Sequence, residues 1–282
     1  QFKKSLYNNF PKERVAIDKF CDKIIELCDF FPLYNLEDDF YSNLLANPEV
    51  LNINAWEYVS SITDNNQLRD VLLANGPLYA GEKEYTPLYV VALITNSYLK
   101  GSYRFKNGGS QIASLLSKRI HNLGSRILKH QQVVSVKYED KNAVSVTTSK
   151  GETFKAKKFI SNIHPKQNIA LFGEEKFRNA YINRINKLED TVASFTVYLS
   201  LKEDSFPYLN YNIYDYFDDN IWETVNYKKE EWPTCLFTCT PVRKNQGEFS
   251  DALTIMTYME YDEVKKWEES FNTVSEKNKR AE

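Results

Sequence analysis

Glycine is scarce: there are nine in 282 residues, and none of their spacings makes the G-x-G-x-x-G cradle that seats a pyrophosphate on a helix N-terminus. No Walker loop, G-x-S-x-G elbow, H-E-x-x-H pair or calcium loop occurs either, so the local signatures of the common hydrolases and metalloenzymes are missing. The four cysteines are too few for a disulfide scaffold. Cys21 and Cys28 lie about 10 Å apart along a helix, and Cys235 and Cys239 about 13 Å apart along a strand, both beyond the roughly 7 Å that a bridge spans. All four read as small buried hydrophobes in a reducing compartment, with a bridge between the two pairs left open. Three histidines, His121, His130 and His164, and the lack of any C-x-x-C give a structural zinc site little support, and no metal is expected. Neither sign of charge dominates: 36 basic against 38 acidic side chains leave −2, without the positive field that nucleic-acid binding needs. The longest apolar run, Leu88 to Ile94, falls far short of the roughly 20 residues that cross a bilayer. Methionine occurs only as Met256 and Met259 and the first residue is Gln1, so the chain is expected to be a processed or excised piece with no readable signal peptide.

What is present is a sizeable apolar fraction, 42%, enough for a real core. Apolar residues at Ile17, Phe20, Cys21, Ile24, Leu27, Cys28 and Phe31 mark one face of a helix between Pro11 and Pro32. Pro48 opens a short helix, and Ala55–Val59 and Leu68–Leu73 read as two more, joined by polar turns. Asn75-Gly76-Pro77 stops the last of these, and Thr86-Pro87 opens an apolar helical stretch through Tyr98. The first hundred residues therefore form a helical layer.

The pattern changes after Gly101. Gly108-Gly109 stand immediately before a helix with the apolar face Ile112, Leu115, Leu116, Ile120 and Leu123, which Gly124 ends. Strands are predicted over Gln132–Tyr138, Ala143–Thr148 and Thr153–Ala156, with turns at Asp140-Lys141-Asn142 and Lys150-Gly151, and a short apolar strand over Phe159–Asn162. Farther on, Phe177, Tyr181 and Leu188 have helical spacing. Phe195, Val197, Leu199 and Leu201 alternate as in a half-buried strand. Cys235–Thr240 and Leu253–Tyr258 are further strands, followed by a helix bearing Val264, Trp267, Phe271 and Val274.

The order of elements from Phe105 to Asn162 resembles the flavoprotein family of phytoene desaturases, carotenoid isomerases and retinol saturases. The residues that carry the resemblance are Gly108-Gly109, Val133-x-x-Val136, Lys150-Gly151 and Ile160-Ser161-Asn162. Lys106 stands where that family usually has proline, and Ser125 where a second glycine often follows Gly124. The family's opening β-α-β unit with its pyrophosphate loop has no counterpart here, so the likeness is to a central portion. It implies an α+β fold, with a helical substrate-side layer, a mixed sheet and a partial FAD-binding domain. The implied division is 1–102 as a helical substrate-domain portion, 103–173 as part of the FAD-binding domain, and 174–282 as substrate-domain sheet and helices.

The resemblance also implies FAD as cofactor, NAD(P)H as a candidate reductant and an apolar small-molecule substrate. Hydride would pass between flavin and a C–C bond of a polyene or isoprenoid, with the protein supplying an apolar channel. Val133 matches the strand position whose backbone holds the adenine, and Gly108 and Gly109 match the turn beside the cofactor. No catalytic residue is implied, and His164 reads as structural. Tyr79, Tyr85, Tyr89, Tyr98, Tyr208, Tyr211 and Tyr214 are candidates for the channel wall. The implied setting is cytoplasmic, with peripheral membrane contact for a lipid-partitioned substrate, and the excised piece alone is expected to hold FAD weakly and to be inactive. A flavin amine oxidase shares the V-x-x-I strand and the Ile-Ser strand. A non-enzymatic α+β module that binds lipid or protein is the reading from another class, and it predicts a closed fold with capped edges and no exposed apolar face.

Overall fold

The structure is a computed structural model that describes residues 1–31, 34–35, 48–188, 192–217 and 221–267. It divides into two compact units, Gln1–Gly108 with Thr191–Glu282, and Gly109–Asp190.

The first unit opens with α1 (Phe2–Asn9) and α2 (Arg14–Asp29). Leu6 is the buried residue of α1, too little periodicity to be read from sequence. The helix is tied down by polar contacts: Lys3 pairs with Asp18 at 2.8 Å, and the Tyr7 hydroxyl donates to the same carboxylate at 2.5 Å. On α2 the expected face is the buried one, with Ile17, Phe20, Ile24 and Leu27 wholly enclosed. α3 (Pro48–Leu51), α4 (Ala55–Ile62) and α5 (Asn66–Leu73) are short. The last two start at asparagine caps: the Asn54 side chain accepts from the Glu57 N–H at 2.9 Å and that of Asn65 from the Leu68 N–H at 3.1 Å. Pro87 precedes α6 (Leu88–Lys100), whose Leu88, Val91 and Ala92 pack with the α2 face into one hydrophobic core.

The second unit begins with α7 (Ser110–Asn122) and continues as the antiparallel sheet β1 (Val133–Glu139), β2 (Asn142–Thr148) and β3 (Thr153–Lys155). Asp140 takes the left-handed φ of +55° that the tight β1–β2 turn requires, and Gly151, at +81°, does so between β2 and β3. α8 (Pro165–Phe172) is capped by the His164 ring, which accepts from the Lys166 N–H at 3.3 Å. The helix expected from the spacing of Phe177, Tyr181 and Leu188 is a 3-10 turn, Glu174–Lys176, and then α9 (Asn179–Asn186). Residues 159–162, expected as a strand, are not one. Ile160 is 98% exposed, because no neighbouring strand among the described residues pairs with the segment.

The chain then returns to the first unit as β4 (Ala193–Ser200), β5 (Ile213–Tyr216), β6 (Cys235–Cys239) and β7 (Ala252–Met259), in the order β4-β7-β6-β5. All the described pairs are antiparallel, including Val197 with Ile255 and Phe237 with Met256. The α+β class is as expected, but the parallel pairing of a mixed sheet is not seen among the described strands. Parallel neighbours need a long crossover connection, and every described neighbouring pair here runs antiparallel. β5 carries too few apolar alternations to be read from sequence. α10 (Tyr261–Val264) and a 3-10 turn follow, while Phe271 and Val274 lie outside the described residues. Cys21, Cys28, Cys235 and Cys239 are all free thiols; the first three are buried and Cys239 is half-buried.

Candidate functional site

The three residues that the sequence proposes for a cofactor occupy two places. Gly108 and Gly109 are neighbours in one turn, Gly108 closing the first unit and Gly109 opening the second. Gly108 has φ +84° and its N–H donates to the Phe105 carbonyl at 3.0 Å; Gly109 caps α7, its carbonyl accepting from the Ile112 N–H at 3.0 Å. A Cβ placed on either would meet nothing within 4 Å. Val133 heads β1 opposite Thr148, beside an irregularity in the register before Ser135. β1 is an outer strand, so its far row of backbone N–H and C=O groups faces no strand among the described residues.

Two polar atoms near Val133 have no hydrogen-bond partner among the described residues: Thr148 Oγ1, on a residue 3% exposed, and Gln131 Oε1. A buried acceptor left unpaired is costly and is normally satisfied by something. Within the second unit, an outer strand and buried polar atoms without a partner are features that suit a hydrogen-bonding ligand.

In the first unit the segment before the glycines is pinned to the sheet. Arg104 Nη1 donates to the Thr240 carbonyl at 2.8 Å and Nη2 to Asn212 Oδ1 at 2.6 Å. The Asn107 N–H donates to the Val242 carbonyl, and Asn107 Oδ1 accepts from the Lys244 N–H, both at 2.9 Å. Thr240, wholly buried, exchanges two hydrogen bonds of 3.0 Å with the backbone of Leu209. The partners of Arg104 are more than a hundred positions away, and nothing in the local sequence announces them.

Two grooves lie on this unit. The first, of about 750 Å³, runs between α1, α2, α5 and α6 and is mostly apolar, with Phe2, Ile25, Val71, Leu72 and Leu99 on its walls. The second, of about 890 Å³, is lined by Tyr98, Tyr103, Tyr208, Tyr211 and Tyr214, together with Arg104, Lys106, Asn210 and Asn212. Tyr98 and Tyr214 line both, and their hydroxyls are 3.1 Å apart. Burial, with the Tyr98 hydrogen bond second, pushes the Tyr214 phenol well above its usual range, so it stays neutral. Among the described lining residues of both grooves there is no aspartate or glutamate.

Of the tyrosines proposed for a channel, Tyr98, Tyr208, Tyr211 and Tyr214 do meet in one groove. Tyr79 instead sits in the loop that docks on the sheet, Tyr85 is 74% exposed, and Tyr89 stacks on Phe31 in the helical layer at 5.2 Å. Among the described residues no cluster of His, Cys, Asp and Glu could hold a metal ion, and no helix is long and apolar enough to cross a membrane.

A helical layer joined to an antiparallel sheet in one unit, and a helix with a three-stranded antiparallel sheet in the other, make this an α+β protein of two units. Residues 44–274, well over half of the chain, match the flavin containing amine oxidoreductase family, and the chain belongs to that family. Among solved structures it is similar to the crystal structure of the PF1083 protein from Pyrococcus furiosus, with 17% identity and a TM-score of 0.47. That likeness covers 76% of this chain and 51% of the other, so the chain spans about half the length of that protein. No curated protein matches it in sequence.

Proposed function

We propose that the chain is the central part of an FAD-dependent oxidoreductase that moves hydride between flavin and a carbon–carbon bond of a polyene or isoprenoid substrate. The observation that carries this reading is the apolar groove of about 750 Å³ opening, across Tyr98 and Tyr214, beside a tyrosine-lined groove. Such a volume suits a small-molecule ligand, and its apolar walls suit a hydrocarbon body.

FAD, when bound, supplies the hydride-accepting and hydride-donating centre. The chain's own part is to hold and to exclude. In this reading the backbone of Val133 takes the hydrogen bonds of the adenine, with Thr148 Oγ1 and Gln131 Oε1 as further acceptors. Gly108 and Gly109 let the main chain approach the cofactor without a Cβ in the way. Residues 103–173 then belong to the FAD-binding domain, and 1–102 and 174–282 to the substrate domain, whose grooves exclude water from the substrate and orient it. Polypeptide outside these 282 residues completes the phosphate-binding part of the site. NAD(P)H as reductant, a cytoplasmic setting and contact with a membrane surface that stores the substrate complete the proposal.

A second reading, an amine substrate, is favoured by the family's description and by the tyrosines, whose ring faces attract an ammonium. The Arg104 guanidinium on the wall of the second groove opposes it. Anaerobic mixing of the full-length flavoprotein with retinol, in the oxidised and in the reduced flavin state, and separately with benzylamine, distinguishes them. The expected result is a change in flavin absorbance with the polyene and none with the amine. Bleaching by the amine alone establishes the second reading, and no change with either overturns both.

A further inference from the structure

The apolar groove between α1, α2, α5 and α6 carries one polar patch. Its aliphatic wall is open to a ligand: Ile25, Val71 and Leu99 are 52%, 46% and 38% exposed. Lys3, which also lines it, is paired with Asp18 and Asp22 at 2.8 and 3.3 Å. Beside the aliphatic residues stand the uncharged polar ones, Asn75, Thr95, Tyr98 and Tyr214. They are contiguous. Thr95 and Tyr98 share a face of α6, three positions apart. Asn75 Nδ2 donates to Thr95 Oγ1 at 3.3 Å, and the Tyr98 and Tyr214 hydroxyls are 3.1 Å apart.

The hydrogens of this patch outnumber its internal bonds. Two hydroxyls bonded to each other use one hydrogen and leave the other to donate elsewhere. Asn75 Oδ1 accepts from the Tyr79 hydroxyl at 3.3 Å, and Nδ2 spends one of its two hydrogens on Thr95. Burial holds the Tyr214 phenol protonated, so the hydroxyl pair keeps both its hydrogens at neutral pH. Donors left over in an apolar groove suit an acceptor that brings neither charge nor a hydrogen of its own, and a carbonyl oxygen with its two lone pairs is such a group. An ammonium finds no carboxylate among the described lining residues, and a carboxylate has to compete with Asp18 and Asp22 for Lys3. A plain hydrocarbon leaves the donors without partners.

We propose that the apolar groove takes a polyene ketone: the hydrocarbon lies along Ile25, Val71 and Leu99, and the carbonyl oxygen accepts from the Tyr98–Tyr214 pair and from Asn75 Nδ2. This inference rests on the polyene reading above and adds the functional group of the substrate and the residues that hold it. It places the oxygen against the end of α5 and the middle of α6, where the two grooves meet.

Equilibrium dialysis of the full-length protein with β-ionylideneacetone, with the alcohol that hydride reduction makes from it, and with the hydrocarbon of the same skeleton tests it. The ketone is expected to bind about five-fold more tightly than the hydrocarbon, with the alcohol between them. The carbonyl stretching band of the bound ketone is expected to move to lower frequency than in hexane, a readout that needs no variant. Replacing both tyrosines, as Tyr98→Phe with Tyr214→Phe, is expected to remove the preference and the band shift while the hydrocarbon still binds, and Asn75→Ala is expected to reduce both. Equal affinity for ketone and hydrocarbon, an unshifted band, or an alcohol bound as tightly as the ketone overturns the carbonyl site and leaves the polyene reading standing. A preference that survives in both variants overturns the assignment to these residues. Failure of all three ligands to bind, with the protein folded by circular dichroism, overturns the polyene reading and this inference with it.

Discussion

The phenol of Tyr258 fastens the sheet to the helical layer across almost the whole sequence. It accepts from the Ala80 N–H at 2.9 Å and donates to the Gly76 carbonyl at 3.3 Å, while the Tyr216 hydroxyl donates to the Ala74 carbonyl at 2.7 Å. Removing the Tyr258 hydroxyl as Tyr258→Phe leaves the half-buried Ala80 N–H without its partner, although the Gly76 carbonyl keeps the Tyr79 and Gly81 N–H groups, and a loss of about 1–3 kcal/mol is expected in a urea melt. Burial pushes this phenol up to about 12. Since an unfolded tyrosine ionises near 10, the folded chain keeps a proton that the unfolded chain gives up between those values. The contribution is therefore complete below pH 10 and lost as pH rises through 12. The wild-type urea midpoint should fall more steeply than that of Tyr258→Phe across this window, and parallel curves would refute the assignment. Val133 is a position where the backbone rather than the side chain matters. Val133→Pro, which deletes the N–H, should release flavin from the full-length protein, whereas Val133→Ala should retain it; equal retention would remove Val133 from the cofactor site. That Val133 lies in a strand and Gly108-Gly109 in a turn before a helix was readable, because strands and turns are local properties of sequence. Arg104, Asn212 and Thr148 were not, because their meaning lies in partners that only the fold brings near.

Elements obeyed their periodicity wherever one partner element was enough to bury them. α2 is the clearest case, its apolar face enclosed as its spacing predicts. α7 has an equally regular face and buries none of it: Ile112, Leu115, Leu116, Ile120 and Leu123 are between 36% and 67% exposed. The closed module considered from sequence would have no such face, so the observation weighs against it. Phe159–Asn162 failed as a strand for a related reason, since a strand without a neighbour leaves its backbone groups to water. A dye sensitive to apolar surface is therefore expected to bind the 282-residue chain. Leu115→Lys and Leu116→Glu, on residues 67% and 59% exposed, should reduce that binding while moving Tm by no more than about 1 °C. Unchanged dye binding would mean that another patch dominates.

Across the molecule, stability is unevenly distributed. The first unit concentrates its buried apolar side chains around α2, α5 and α6, where Phe20, Ile24, Leu68, Leu73 and Leu88 are wholly enclosed. Phe20→Ala there should cost about 3–5 kcal/mol. In the second unit the buried apolar side chains among the described residues are Ile169 and Ile185, with Ser145 and Thr148 as buried polar ones. Apolar area removed from water is the main favourable term in folding, so a unit that buries so little opens at a smaller free energy than one with a continuous core. Hydrogen exchange should therefore find the amides of α2 and α6 slowest and those of β1–β3 close to the fast limit in the 282-residue chain. If β1 holds the adenine, FAD bound to the full-length protein should slow exchange in β1 and β2 selectively, because a ligand that binds only the closed form stabilises that form. Equal protection of the two units in the 282-residue chain would contradict the packing argument. A full-length protein whose β1 amides ignore bound FAD would separate this strand from the cofactor.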